Sequence, residues 1–235
     1  MQTIKFNRLN LSNEDFLLDM GCGEGRHSIG AHISTEANIL GFDLSFKDLK
    51  IAKERLNDFD TSQIETICQF ASANIISIPL SDSSLDAVIC SEVLEHVDSP
   101  EESIKELIRV LKPGGVLALS VPRYLPELIC WKLSKEYSQT PGGHVRIFKY
   151  KQLKNLGIMN GLKFSSFHWA HGLHSPYWWL QCLLWNSRES SKIIKIYHKF
   201  LVWDLMKQPL ITRILELILT PFIGKSLVMY FKKPN

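Results

Sequence analysis

The sequence predicts a doubly wound α/β domain, and three observations carry the prediction. Short apolar runs alternate with helix-period segments from Phe16 onward, which is the pattern of βα units feeding a parallel sheet. The first such run ends in a glycine-rich turn, Gly21-Cys22-Gly23-Glu24-Gly25. With 235 residues, 45% of them apolar and 22% charged, the chain is long enough for one full domain and too apolar for wholesale disorder. The expected architecture is Rossmann-like, with seven strands, mostly parallel, the last one antiparallel and preceded by a helical insertion.

Phe16 to Met20 reads as the first strand and Ala37 to Asp43 as the second. Ser45 then caps a helix on which Phe46, Leu49, Ala52 and Leu56 share one face. A third strand is expected near Ile64 to Phe70 and a fourth at Leu85 to Ser91. Ser99-Pro100-Glu101-Glu102 supplies an N-cap, a proline at the first helical position and a capping-box glutamate. Ile104, Leu107, Ile108 and Leu111 follow at i, i+3, i+4 and i+7, a buried stripe. Lys112-Pro113-Gly114-Gly115 stops that helix, and Val116 to Val121 makes the fifth strand.

Beyond Pro122 the pattern loosens. Lys149 to Leu156 reads as a helix, Leu162 to Trp169 as a sixth strand and Ser226 to Phe231 as the seventh. The segment from about 171 to 224 is helical and aromatic-rich, an insertion before the last strand rather than a separate domain. The chain therefore reads as one domain over 1–235, with a ligand-binding half over 1–122 and a second half over 123–235.

Composition excludes several classes. A net charge of +3 is too mild for a nucleic-acid protein, in which a clustered basic face is expected. The basic set Arg146, Lys149, Lys151 and Lys154 reads as a solvated helix face. Cys22, Cys68, Cys90, Cys130 and Cys182 contain no CxxC pair, so reduced thiols in a cytoplasmic setting are expected. No secretory signal is visible, and the apolar stretches 177–185 and 210–224 are interrupted by Gln181, Arg213 and Glu216, short of a membrane span.

A strand ending in Asp19 and followed by Gly21, Gly23, Gly25 and a helix lets backbone N–H groups approach an anionic ligand. A nicotinamide-binding turn needs G-x-G-x-x-G, and here Arg26 follows Gly25, which weakens a dinucleotide reading. Asp43 ends the second strand, where an acidic residue accepts both ribose hydroxyls of a nucleoside.

Leu18-Asp19-Met20-Gly21-Cys22-Gly23-Glu24-Gly25 resembles the first motif of class I S-adenosylmethionine-dependent methyltransferases. Gly41-Phe42-Asp43-Leu44-Ser45 is similar to their ribose-binding motif. Asn74 to Pro79 with Ser84-Leu85-Asp86-Ala87-Val88, and then Leu111-Lys112-Pro113-Gly114-Gly115, resemble their adenine loop, fourth strand and the turn before the fifth. The resemblance runs in order from about Phe16 to Pro122. It implies S-adenosylmethionine as cofactor and S-adenosylhomocysteine as product. Gly21, Gly23 and Gly25 would line the methionine part, with Asp19 supporting its amino group. Asp43 would hold the ribose with Leu44 against the adenine, and Asn74, Ile75 and Ser91 would complete the cofactor site. The adenine loop often carries Asp where this chain has Asn74, and a neutral acceptor is weaker than a charged one.

On the acceptor side, Ser91-Glu92-Val93-Leu94-Glu95-His96 follows the fourth strand. If Glu92 to Val97 is a helical turn, Glu92, Glu95 and His96 face one way. Pro141-Gly142-Gly143-His144-Val145-Arg146 is a loop able to bring His144 over the same cleft. His96 and His144 are the candidate catalytic residues, as acid/base or substrate-orienting groups. Two carboxylates with two imidazoles also make a mixed site for a divalent ion. That Glu-x-x-Glu-His arrangement resembles ubiquinone-pathway O-methyltransferases and small-RNA 2′-O-methyltransferases, where a metal is implied. The same string also occurs in methyltransferases of the broad ubiquinone/menaquinone type, which imply none.

His171-Gly172-Leu173-His174-Ser175-Pro176-Tyr177-Trp178-Trp179, with Trp185 and Trp203 beyond, suits a flat or prenylated acceptor. The alternative is that these rings only bury the insertion on the sheet. Peripheral contact with a membrane through 171–224, using Ile211, Leu215, Leu219, Lys225, Lys232 and Lys233, is a third expectation. The functional expectation is methyl transfer to an oxygen or carbon of a small, apolar or aromatic acceptor. A metal-assisted O-methyltransferase and a non-catalytic scaffold are the alternatives.

Overall fold

The computed structural model describes residues 2–140 and 142–235. Seven strands form one sheet: β1 (Phe16–Met20), β2 (Asn38–Asp43), β3 (Cys68–Ser72), β4 (Leu85–Ser91), β5 (Leu111–Pro122), β6 (Lys163–Ala170) and β7 (Ser226–Lys232). Their order is β3-β2-β1-β4-β5-β7-β6. The pairs from β3 through β5 are parallel, and β7 runs antiparallel between β5 and β6. The helices are α1 (Arg26–Ser34), α2 (Phe46–Leu56), α3 (Pro100–Val110), α4 (Tyr124–Leu133), α5 (Lys135–Ser138), α6 (Tyr150–Met159), α7 (His174–Leu183), α8 (Lys192–Lys207) and α9 (Leu210–Ile223). The last three fill the expected insertion between β6 and β7.

Both faces of the sheet are apolar because a central parallel strand is covered twice, and side chains alternate between faces. Leu18, Met20, Val88, Cys90, Leu117 and Leu119 pack with Ile104 and Leu107 of α3 and Leu153 of α6. Leu17, Ile39, Ala87, Ile89 and Ala118 pack on the other side with Ala31 of α1 and with Ile4 and Leu9 of the N-terminal segment. Order on both sides brings the C-terminal ends of β1, β2 and β4 to one edge, where the order reverses between β1 and β4. In open α/β sheets that is the ligand-binding edge.

Several local expectations change. The third strand starts at Cys68 rather than Ile64, because Ile64 N–H turns back to the Thr61 carbonyl. Ser45 caps α2 by accepting from Asp48 N–H at 3.3 Å, but Phe46 stands 80% exposed instead of joining Leu49 and Ala52 in the core. Pro100 does open α3, yet the Ser99 side chain makes no cap; its carbonyl accepts from Ser103 N–H and Oγ instead. Leu111 belongs to β5 and not to the preceding helix. Leu85 pairs Leu111 while Ala87 pairs Val116, so Lys112 to Gly115 leave the register as a bulge inside the strand.

Candidate active site

The turn after β1 is fastened to β2. Gly21 and Cys22 donate to the Phe42 carbonyl at 2.7 and 3.0 Å, Gly25 N–H donates to the Cys22 carbonyl, and Gly23 N–H donates to Asp43 Oδ2 at 2.8 Å. These N–H groups are thus engaged within the protein and do not point at an anion, contrary to the expectation from the motif. What the glycines supply is space and backbone freedom. All three have positive φ. A Cβ on Gly21 would meet Val93 at 2.2 Å, and one on Gly25 would press on Ala52, Ile29 and Phe70. At Gly23 a Cβ would meet nothing within 4 Å, so of the three glycines only this one fronts open space.

Asp43 is half-buried, with its two oxygens accepting from Gly23 N–H and from Ser45 N–H, both at 2.8 Å. Each carboxylate oxygen has a second lone pair, so the group keeps acceptor capacity for a pair of hydroxyls. Leu44 beside it is 67% exposed, an apolar side chain free to meet a flat ring. Asn74 is exposed and its Oδ1 already accepts from Ile76 N–H at 3.2 Å, which leaves one acceptor site on the amide. Ile75 is buried in the core, so its side chain is unavailable and only its main chain can touch a ligand. Ser91 Oγ is likewise buried and paired with Ser120 Oγ at 2.8 Å.

Asp19 lies beneath the turn, 1% exposed. Ser28 of α1, a residue sequence reading missed, donates to its Oδ2 at 2.7 Å, while Oδ1 has no partner. Burial pushes the carboxyl up to about 6, against the lowering effect of Ser28 and Arg26. An open cradle at Gly23, an unsatisfied acid below it and a carboxylate at Asp43 fit a ligand with a cationic amino group at one end and a diol at the other. The linked stability has a definite sign. A carboxyl raised from 3.8 to about 6 contributes stability that is full below pH 4 and lost as pH rises through 6, on the order of 3 kcal/mol. Urea melts of the cofactor-free chain should show that loss between pH 4 and 7, and Asp19→Asn should flatten it. An unchanged slope in the variant would assign the titration elsewhere.

A second cluster of candidate residues begins where Val93 packs on Gly21. The segment after β4 is not the helical turn expected from Glu92. Glu92 takes positive φ (57°), and a single turn closes by His96 N–H donating to the Val93 carbonyl at 2.9 Å. Glu92 instead accepts from Ser120 Oγ at 2.9 Å and is not among the clustered ligand groups, although its charge still acts on Glu95. Glu95 is fully buried, and neither carboxylate oxygen has a partner. Burial, and then the Glu92 charge, push its carboxyl well above the usual range.

The loop after α5 folds over this turn. Val145 N–H donates to the Glu95 carbonyl, and the Arg146 guanidinium donates to the carbonyls of Leu94, Val97 and Asp98. Arg146 is therefore a clamp, not a member of a solvated basic face. Pro141 lies outside the described residues. His96 Nδ1 faces the carbonyls of Gly142 and Gly143 at 3.0 and 3.1 Å. A carbonyl only accepts, so Nδ1 carries a proton, and in the neutral ring the lone pair lies on Nε2. His144 Nδ1 donates to Glu127 Oε1 at 2.6 Å, which orients His144 in the same sense. The His96 and His144 rings meet edge-on with centroids 4.8 Å apart.

Glu127, on α4, was not anticipated. It is buried, and it also accepts from Trp131 Nε1 at 3.0 Å and Tyr137 OH at 3.4 Å. Burial raises its carboxyl, but His144, Lys225 and Tyr137 together hold it below the usual range. It stays an anion and supports a cation on His144. Ligand atoms of Glu95, His96 and His144 lie within 4.8 Å of one another, so the four-residue metal set expected from sequence narrows to three. In metal sites a histidine donates its other ring N–H to a carbonyl or carboxylate, as both do here. Beside the histidines is a pocket of about 430 Å³ walled by Tyr137, Tyr177, Trp178, Trp185 and Arg188. Trp203 is not part of it.

Residues 18–119 match the family model described as a methyltransferase domain. Over 115 residues, 49% of this chain and 40% of the relative, the sequence is 30% identical to methyltransferase GfsG of Streptomyces halstedii. Over 154 residues, 62% of each, it is 27% identical to a demethylmenaquinone methyltransferase of Lactobacillus johnsonii. The chain thus spans about two fifths to three fifths of these curated relatives. A solved geranyl diphosphate methyltransferase in complex with SAM shares the fold, with a TM-score of 0.65, 14% identity and coverage of 97% of this chain and 82% of that one. No helix among the described residues is long and apolar enough to cross a membrane.

Proposed function

We propose, from the match of residues 18–119 to a methyltransferase domain, that this chain transfers methyl groups from S-adenosylmethionine to a small apolar or aromatic acceptor. The observation that carries the reading is the contact of Val93 with Gly21. It joins the open cradle at Gly23 and Asp43 to the histidine pair and the aromatic pocket through one short segment. Bound S-adenosylmethionine supplies an electrophilic methyl on a sulfonium, displaced in line to leave S-adenosylhomocysteine. The chain's part is to orient the acceptor and to take its proton.

Asp43 accepts from the ribose hydroxyls, and Leu44 and Asn74 serve the adenine. Asp19 balances the amino group from beneath the turn. Tyr177, Trp178 and Trp185 hold a flat or prenyl-bearing acceptor, with Arg188 for an anionic substituent. In their neutral forms His96 and His144, each with Nδ1 donating to the protein, have their lone pair on Nε2. A hydroxyl or an acidic C–H loses its proton to that nitrogen, and Glu127 stabilises the resulting imidazolium on His144. The reaction belongs in the cytoplasm or at its membrane boundary. The test is incubation of a cellular acceptor extract with the chain and deuterated-methyl S-adenosylmethionine, followed by mass spectrometry. A new product is expected that carries a CD3 group in place of one acceptor hydrogen, about 17 mass units above the acceptor; calorimetric silence at millimolar cofactor would leave only a scaffold.

The Glu95, His96 and His144 cluster favours a second reading, a metal-assisted O-methyltransferase. Those three residues would hold a divalent ion, which would anchor neighbouring acceptor oxygens. On that reading turnover disappears in chelator and returns with magnesium or manganese. Full turnover in chelator leaves the histidine base alone.

A further inference from the structure

Helices α8 and α9 are far more apolar outside than a solvated surface requires. Over its 14 residues α9 buries only Thr212. Leu210, Ile211, Ile214, Leu217, Ile218 and Phe222 cover its outward half, and Leu217 and Phe222 are 76% and 70% exposed. No charge interrupts that face. Arg213 turns to Asp204 of α8 at 3.3 Å, and Glu216 turns inward to accept from the N–H groups of Gly172 and Leu173 at 2.7 and 2.9 Å. A contiguous face of this kind on a protein surface marks an interaction site.

The chemistry of α8 indicates the partner. Its buried side is Ile194, Leu201 and Asp204. The opposite side, by helical spacing, carries Lys192, Lys195 and Lys199 among Ile196, Trp203 and Met206, and all six are exposed. The two acids of α8 and α9, Asp204 and Glu216, are both tied inward, so the outward charge is positive throughout. Lysines interleaved with apolar and indole side chains match a layer of anionic headgroups over acyl chains, where the ammonium reaches outward and its stem lies in the apolar zone. At 1.5 Å per residue α9 is about 21 Å long, shorter than the ~30 Å hydrocarbon core, so it suits lying along a bilayer and not crossing it.

We infer that α8 and α9 dock this protein onto an anionic lipid bilayer. The apolar face of α9 enters the headgroup boundary and the lysines of α8 engage the lipid charge. Lys233, grouped with this surface on sequence grounds, is not part of it, since its Nζ donates to the carbonyls of Ile108 and Leu111. The same two helices, through Leu201, Leu205 and Leu217, wall a cavity of about 1250 Å³ that also touches His171, His174 and Tyr177. The docking stands independently of the methyl-transfer reading.

The test is flotation of the full chain with vesicles of phosphatidylcholine alone or mixed with phosphatidylglycerol. Flotation with the mixed vesicles is expected, with weaker binding to the neutral ones. Leu217→Asp with Phe222→Asp should weaken binding about tenfold or more, and Lys195→Glu with Lys199→Glu should remove the preference for the anionic lipid. Both pairs are exposed, so circular dichroism and melting should match the parent chain. Absence of flotation with either vesicle, or undiminished flotation of the aspartate variant, would overturn the proposal. So would a vesicle-free dimer that the aspartate variant converts to monomer, since the face would then belong to a second copy.

Discussion

Asp43→Ala is expected to weaken S-adenosylmethionine binding by about 1–3 kcal/mol, roughly five- to 150-fold in Kd. Two losses combine in this variant. The ribose hydroxyls lose a charged acceptor, and the N–H groups of Gly23 and Ser45 lose the carboxylate that holds both at 2.8 Å. Asp43→Asn separates them. An amide oxygen still accepts, so part of the turn geometry returns while the charge does not. Calorimetric titration reads both variants directly, and parent affinity in the alanine form would remove Asp43 from the site.

His144→Ala should lower methyl transfer by about 10²- to 10⁴-fold, the range for loss of a general base. Cofactor affinity should stay near the parent value, because His144 lines the aromatic pocket and not the glycine turn. Glu127→Gln should lower the rate less and shift the pH profile. An amide stabilises the imidazolium more weakly than the buried carboxylate does, so the base limb of the profile moves to lower pH. A His144 variant with undiminished transfer to the labelled acceptor would place proton removal on another group.

The sequence made the cofactor half legible because its signals are local. A strand, a turn and a carboxylate at the next strand end occur in fixed order, and the backbone requirement at Gly21 and Gly23 leaves little freedom in residue type. The acceptor side depends on contacts between distant segments. Glu127 lies 17 residues before His144 on a different element, and nothing in its surroundings distinguishes it from a surface helix residue. Arg146 looked solvated because a helix period groups it with lysines, whereas its carbonyl partners are 48 to 52 positions away. Glu92 was grouped with Glu95 on the assumption of helical backbone, and its positive φ breaks that spacing. The outward face of α9 was legible only in part: Ile211 and Leu215 are exposed as expected, whereas Leu219 is half-buried and Leu217 and Phe222 carry the face. An amphipathic period reveals which residues share a face, but not whether another element covers it.

The clamp formed by Arg146 ties the two imidazoles into one mechanical unit. His96 owes its proton placement to carbonyls from a segment nearly fifty residues downstream, so neither half of the chain contains a finished proton acceptor. A fragment ending near Pro122 would include the turn at Gly21 to Gly25 and Asp43 yet carry an imidazole with no fixed tautomer. On the proposed function, substitutions in the downstream loop would alter proton removal while leaving the Gly23 and Asp43 turn unchanged.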